Sequence, residues 1–121
     1  MALKTTTRTE GDVTILKLDG NITLGEASGS LRDAVRNAIA NGTRKMILDL
    51  GGVYYIDSAG LGELVGCYAT AGNKGAKLKL LNLQKKVEGL MQITKLITVF
   101  EVFEDEAEAV RSFGAPQSVR A

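Results

Sequence analysis

The sequence predicts a single α/β domain with a mixed β-sheet, about four helices and an opening β-hairpin. Short aliphatic runs alternate along the chain with segments whose apolar residues recur at helical spacing. Near the start, threonines at every second position precede a Glu-Gly-Asp turn and a β-branched run, as in a hairpin. The length of 121 residues suits one domain. We expect that domain to span residues 1–113 and a loose polar tail to follow over 114–121.

The first half of the chain gives two strands, the clearest helix and a central strand. Alternating threonines predict a strand before the turn at residues 10–12, and residues 13–18 predict the second strand. Thr23 and Glu26 fit a capping box at the start of the first helix, and Asn41-Gly42 fits its end. The apolar stripe of this helix comprises Ala27, Leu31, Ala34, Val35, Ala38 and Ile39. Residues 46–50 then read as a buried strand that Gly51 and Gly52 interrupt.

The second half continues the alternation of helix and strand. Its second helix has a stripe at Leu61, Leu64, Val65 and Tyr68, and ends at Gly72-Asn73. A strand at residues 78–81, a short helix at residues 87–91 and a last strand at residues 99–103 follow. Asp105 and Glu108 fit a capping box for a final helix, whose buried side we expect at Ala107, Val110 and Phe113.

Composition excludes several classes of function. The chain contains no histidine, so it has no Ser-His-Asp triad and no histidine-ligated metal site. Its single cysteine, Cys67, lies in an apolar stretch and is interpreted as a packing residue. A net charge of +1 gives no support for nucleic-acid binding. The start of the chain lacks the apolar run of a signal peptide, and no segment is long enough for a membrane helix, so we expect a cytoplasmic protein without membrane insertion.

Residues 51–66 carry the chemistry of the chain, because they follow a buried strand and open a helix. Asp57 and Ser58 are both good N-cap residues, so one should cap the helix and the other should project from its first turn. Gly60 and Gly62 each cost the helix about 1 kcal/mol relative to alanine. That cost indicates close backbone approach, either by another part of the fold or by a partner.

Three functional interpretations of this segment compete with a plain helix cap. A dinucleotide fingerprint would need a third glycine where Val65 stands and an acid near position 82, where the chain has Asn82. A nucleophilic Ser58 lacks both the G-x-S-x-G context and a histidine base. A phosphorylated Ser58 would place its anion at the positive end of the helix. Residue chemistry alone favours the plain cap.

Residues 56–62, Ile-Asp-Ser-Ala-Gly-Leu-Gly after a buried strand, resemble the signature of STAS domains, especially bacterial anti-sigma factor antagonists. The resemblance covers nearly the whole chain. It also includes Gly20 after the second strand, residues 75–78, Val87, Leu90, residues 94–96 and residues 103–110.

The resemblance implies a regulatory binding protein, not an enzyme, and no cofactor of its own. It implies that Ser58 is phosphorylated by an anti-sigma factor serine kinase, which the unmodified protein binds to free the sigma factor. A metal-dependent serine phosphatase would then reset the protein. We expect partner contacts at Asn21, Thr23, Asp57, Ser58, Ala59, Gly60, Leu61 and Gly62.

One position departs from the family pattern. The loop after the second strand often holds an acidic residue in the family, whereas this chain has Thr23. The departure keeps open a non-phosphorylated STAS subunit of a transport or stress-sensing complex. A small nucleotide-binding or hydrolytic enzyme is the remaining alternative.

Overall fold

The computed structural model describes residues 3–114, and the predicted loose tail, apart from Gly114, lies outside them. The strands are β1 (Lys4–Glu10), β2 (Val13–Asp19), β3 (Lys45–Gly52), β4 (Lys77–Leu81) and β5 (Val102–Phe103). The helices are α1 (Glu26–Ala40), α2 (Ser58–Asn73), α3 (Lys85–Ile93) and α4 (Glu106–Arg111), with a 3₁₀ turn at Leu96–Thr98.

The strands form one five-stranded sheet in the order β1-β2-β3-β4-β5. β1 and β2 pair antiparallel through the turn at Gly11 and Asp12, whereas the other pairs are parallel. Helices α1 and α2 and the α3 segment connect successive parallel strands, as parallel pairing requires. The predicted α/β fold with a mixed sheet, opening hairpin and four helices is confirmed.

Alternate residues of the central strands build a core on each face of the sheet. Leu48 and Leu80 belong to the larger cluster, which also holds the apolar sides of α1, α2 and α3. Ile47 and Leu81 point to the other face, where Ala109 of α4 covers them. The predicted α1 stripe is confirmed, since Leu31 and Val35 are at most 1% exposed. β3 is thus buried on both faces, and the segment that leads to α2 starts from its carboxyl end.

The capping box predicted for Thr23 and Glu26 is wrong. Helix α1 begins at Glu26 with Gly25 as its N-cap, and no side chain caps it. Gly25 has a φ of 103°, a conformation that a glycine adopts readily. The preceding loop does not join the helix because Ile22 is drawn into the core, with no exposed surface.

Gly51 and Gly52 do not interrupt β3, which continues to Gly52. A Cβ on Gly52 would lie 1.9 Å from Oδ1 of Asp19 on β2. The glycine lets the ends of the two strands approach closely, and Gly20 donates a hydrogen bond to its carbonyl at 3.0 Å.

The last strand is shorter than predicted, because residues 99–101 precede β5 instead of belonging to it. Val99 ends the 3₁₀ turn with helical backbone angles. Phe100 then turns into the core, where its ring meets that of Tyr68 edge to face at 5.1 Å. Burial of this ring overrides the strand propensity of the segment.

Helix α4 packs through a different alanine from the one predicted. Ala107 is exposed, whereas Ala109 is fully buried. Asp105 caps the helix as expected, accepting from the Glu108 N–H at 3.2 Å. Beneath the end of α4, Lys79 is 5% exposed and donates from Nζ to Ser112 Oγ at 2.8 Å. This buried cation fastens the end of α4 to the sheet.

Cys67 is a packing residue, as predicted. It is 3% exposed on the core side of α2, and burial raises the pKa of its thiol to about 12. Residues 3–114 include no helix that is both long and apolar enough to cross a membrane. Within the same range, no group of three or more Cys, Asp or Glu side chains could hold a metal ion.

Candidate functional site

The loops after β2 and β3 join at the carboxyl edge of the sheet. Ile22 and Ile56 form an isolated parallel bridge between these loops. Ile22 donates to the Tyr55 carbonyl at 3.1 Å, and Asp57 donates to the Ile22 carbonyl at 3.2 Å. Both isoleucines are buried in the main core, so core packing holds the two loops together. The predicted neighbours Asn21 and Thr23 therefore flank a residue that is bonded directly to the start of α2.

Asp57, rather than Ser58, is the N-cap of α2. Its Oδ1 accepts from the Gly60 N–H at 2.8 Å, and its Oδ2 accepts from the Leu24 N–H at 3.0 Å. One carboxylate thus holds both the helix start and the neighbouring loop. These two hydrogen bonds lower the pKa of Asp57 because they stabilise its charged form, and the bond from Gly60 has the larger effect.

Ser58 is the first residue of α2 and is exposed. Its hydroxyl makes no hydrogen bond within residues 3–114, since Asp57 has taken the capping position. The arrangement confirms the expectation that one residue of the pair caps and the other projects. A free hydroxyl at a helix start can accept a phosphoryl group without breaking any bond in the domain.

The glycines that follow Ser58 serve different needs. A Cβ on Gly60 would lie 2.1 Å from the Ile22 carbonyl oxygen and 2.8 Å from Ile56 Cγ2. Gly60 is therefore required for packing inside the domain, which resolves the alternative left open for this residue. A Cβ on Gly62 would meet nothing within 4 Å. Its surroundings are open to solvent, as a closely approaching partner would need.

The predicted contact residues differ in what they offer a partner. Asn21, Ser58 and Gly62 are exposed, Thr23, Asp57 and Ala59 are half-buried, and Gly60 and Leu61 are buried. Leu61 is 6% exposed and packs in the main core. We refer to the exposed residues of this set, Asn21, Ser58 and Gly62, as the serine patch.

Three exposed apolar side chains beside this patch were not predicted from the sequence. Leu24 is 79% exposed in the loop that Asp57 holds, while Tyr54 and Tyr55 are 62% and 53% exposed ahead of Ile56. Two adjacent aromatics in a loop outside any helical or strand period are the signal that could have revealed them.

The tyrosine pair also opens onto a shallow groove. A cavity of about 230 Å³ is lined by Tyr54, Tyr55, Ile56, Lys86, Val87 and Leu90. Lys85 and Lys86 of α3 are both exposed, and Lys86 also lines this groove. The groove continues the exposed apolar surface of Tyr54 and Tyr55 toward α3.

The sequence matches the STAS domain family over residues 4–109. The chain belongs to that family. This STAS domain is 26% identical over 102 residues to a STAS-domain containing protein from Pseudomonas aeruginosa, covering 84% of this chain and 99% of the relative. It is also 25% identical over 65 residues to the anti-sigma F factor antagonist of Paenibacillus polymyxa, a match that covers 54% of this chain and only 56% of that relative.

Solved structures confirm the fold of this STAS domain. A candidate anti-sigma factor antagonist from Thermotoga maritima superposes with a TM-score of 0.77 at 26% identity, covering 89% of this chain and 92% of its own. The unphosphorylated form of the antagonist SpoIIAA superposes with a TM-score of 0.74 at 20% identity, covering 91% of this chain and 96% of its own. STAS domains of this type are typically regulatory and non-catalytic.

Proposed function

We propose that this STAS domain is an anti-sigma factor antagonist whose binding is controlled by phosphorylation of Ser58. The observation that carries the proposal is the unbonded, exposed Ser58 hydroxyl at the start of α2, beside an Asp57 that already caps the helix. The similarity of the domain to antagonists in sequence and fold gives further support.

In the proposed cycle, the unmodified domain binds an anti-sigma factor that is also a serine kinase, and the sigma factor is released. The kinase then transfers the γ-phosphoryl group of ATP to Ser58 Oγ. The new O–P bond replaces the bond between the γ-phosphorus and the β–γ bridging oxygen, ADP leaves, and the hydroxyl proton is released to solvent. A metal-dependent serine phosphatase later hydrolyses this ester with water, returning the hydroxyl and inorganic phosphate. ATP and the metal ions belong to the partners.

The physical reason for the switch is the difference between an open helix terminus and a closed interface. An anion at an exposed helix N-terminus is stabilised by about 0.3–1 kcal/mol. The same charge inside an interface that accepts a neutral hydroxyl loses its hydration, and an opposing like charge can cost several kcal/mol. Phosphorylation should therefore break the complex without unfolding the domain.

A phosphate-transfer assay tests the proposal. The partner is first captured from an extract of the source organism on immobilised domain, then purified and incubated with the domain and ATP. We expect one phosphate on Ser58, none on Ser58→Ala, and unchanged transfer to Ser30→Ala, a control in α1. Phosphate mapped to another residue would overturn the assignment of Ser58.

The same assay distinguishes the proposed antagonist from the alternative, a non-phosphorylated STAS subunit of a larger complex. Such a subunit would bind its partner tightly but accept no phosphate from it. Incubation of the complex with ATP would leave its binding unchanged, because no switch operates at Ser58.

A further inference from the structure

Strand β1 leaves one edge of the sheet open. Among the described residues 3–114 it pairs only with β2, and all seven of its residues are exposed. Its register with β2 runs without a bulge from Lys4 to Glu10, and it contains no proline. Bulges, prolines, charged side chains and covering elements are the usual protection of an edge. β1 has no bulge or proline but carries charges at Lys4, Arg8 and Glu10, so it can pair only with a strand whose charges complement its own.

The hairpin geometry identifies which main-chain groups are free. Glu10 and Val13 flank a two-residue turn. In such a hairpin the pair next to the turn exchanges hydrogen bonds, and so does every second pair beyond it. The intervening residues, Thr5, Thr7 and Thr9, therefore direct their N–H and C=O groups away from β2, toward the open edge.

We propose that β1 pairs antiparallel with β1 of a second copy of this chain, about a two-fold axis at Thr7. Thr7 then faces the partner's Thr7, and Thr5 faces the partner's Thr9, so every pair that exchanges hydrogen bonds joins outward-directed residues. The interface is isologous, as closed dimers require. The two sheets become one continuous sheet.

Charge selects this register. Lys4 faces the partner's Glu10, and by symmetry Glu10 faces the partner's Lys4. Directly opposite charges of unlike sign stabilise an antiparallel pair, as do threonine pairs. Lys4 makes no ion pair within residues 3–114, and Glu10 has only Arg8, at 3.6 Å, as a salt-bridge partner. Both charges are therefore available to the second copy.

The neighbouring registers are disfavoured by the same residues. Outward-directed groups allow shifts of the partner strand only in steps of two residues. One such shift places Lys4 opposite the partner's Arg8, and the other places Arg8 opposite the partner's Arg8. Like charges directly opposite one another destabilise the pair. The sequence of β1 is thus complementary to itself in one register.

This surface is separate from the serine patch. β1 is the edge strand on the far side of β2, whereas Ser58 follows β3 at the centre of the sheet. A pair joined through β1 therefore leaves both Ser58 sites accessible. Because the interface has no apolar seam, we expect a weak dimer that forms at high protein concentration.

Charge-reversal variants test the proposal. Their association is measured by sedimentation velocity at a series of concentrations up to about 1 mM, a range in which weak dimers are detected. We expect Lys4→Glu and Glu10→Lys each to weaken the dimer roughly tenfold, since each places two like-charged pairs in the interface. An equimolar mixture of the two variants should dimerise again, because every cross-chain pair then joins an acid to a base. The double variant should also dimerise.

Lys74→Glu is the matched control, since it makes the same change of charge at an exposed position after α2. It should leave the association constant unchanged. Thr7→Pro should abolish pairing by removing an N–H at the axis, while circular dichroism checks that the domain remains folded. A wild-type protein that stays monomeric at the highest concentration would overturn the proposal. So would an equimolar mixture of Lys4→Glu and Glu10→Lys that fails to dimerise.

Discussion

Alanine substitutions at Gly60 and Gly62 should change stability in opposite directions. A Cβ on Gly60 would lie 2.1 Å from the Ile22 carbonyl oxygen, so the loop and helix would have to separate by about 1.3 Å to reach ordinary contact. Overpacking of this kind costs about 3 kcal/mol at the upper end of its usual range, and the gain in helix propensity returns about 1 kcal/mol. We expect Gly60→Ala to lower the free energy of unfolding by about 2 kcal/mol.

Gly62→Ala provides the matched comparison on the same helix. A Cβ on Gly62 meets nothing within 4 Å, so only the propensity term applies and the domain should gain about 0.5–1 kcal/mol. Urea unfolding of both variants and the wild type, followed by circular dichroism, measures the difference. Equal stabilities, or a more stable Gly60→Ala, would show that the Ile22 junction is loose and that the geometric reasoning is wrong.

Further predictions concern the serine patch and two titrating groups. Phosphorylation of Ser58 should weaken binding to the kinase by orders of magnitude, as measured by titration calorimetry; a large fall in melting temperature would instead indicate disruption of the helix. Gly62→Val should weaken that binding while stability changes little, with Lys74→Glu as the unaffected control. The pKa of Asp57 is lowered in the folded state, so its stabilising effect is present at neutral pH and lost in acid. Asp57→Asn should therefore be less stable than wild type at pH 7, and the gap should narrow below about pH 4. Burial raises the pKa of Cys67 to about 12, so stability should fall as pH rises from about 8.5 toward 12, more steeply than in Cys67→Ala.

Elements with a strong periodic pattern could be predicted from the sequence, whereas loops set by tertiary contacts could not. The α1 stripe and the buried run of β3 specify their own faces, so their existence and type follow from spacing alone. The start of α1 depends on Ile22 entering the core and on Asp57 binding Leu24, two contacts between segments distant in sequence. Local capping rules therefore place the helix start at the wrong residue.

The candidate site shows the same division. Asp57 and Ser58 could be recognised as the cap and the projecting hydroxyl, because N-cap preferences are local. The purpose of Gly60 could not be determined from the chain, since the atom it accommodates belongs to a loop nearly forty residues earlier. Tyr54 and Tyr55 were missed because apolar residues are expected inside, and only the fold reveals that both rings are exposed.

The burial of Cys67 gives the protein a useful property for spectroscopy. It is the only thiol in the chain, and it is both shielded and protonated at neutral pH. A Tyr54→Cys variant would therefore carry a single reactive thiol, at a position that is 62% exposed in the segment leading to Ser58. A fluorophore attached there without removing Cys67 would report the arrival and departure of a partner in real time.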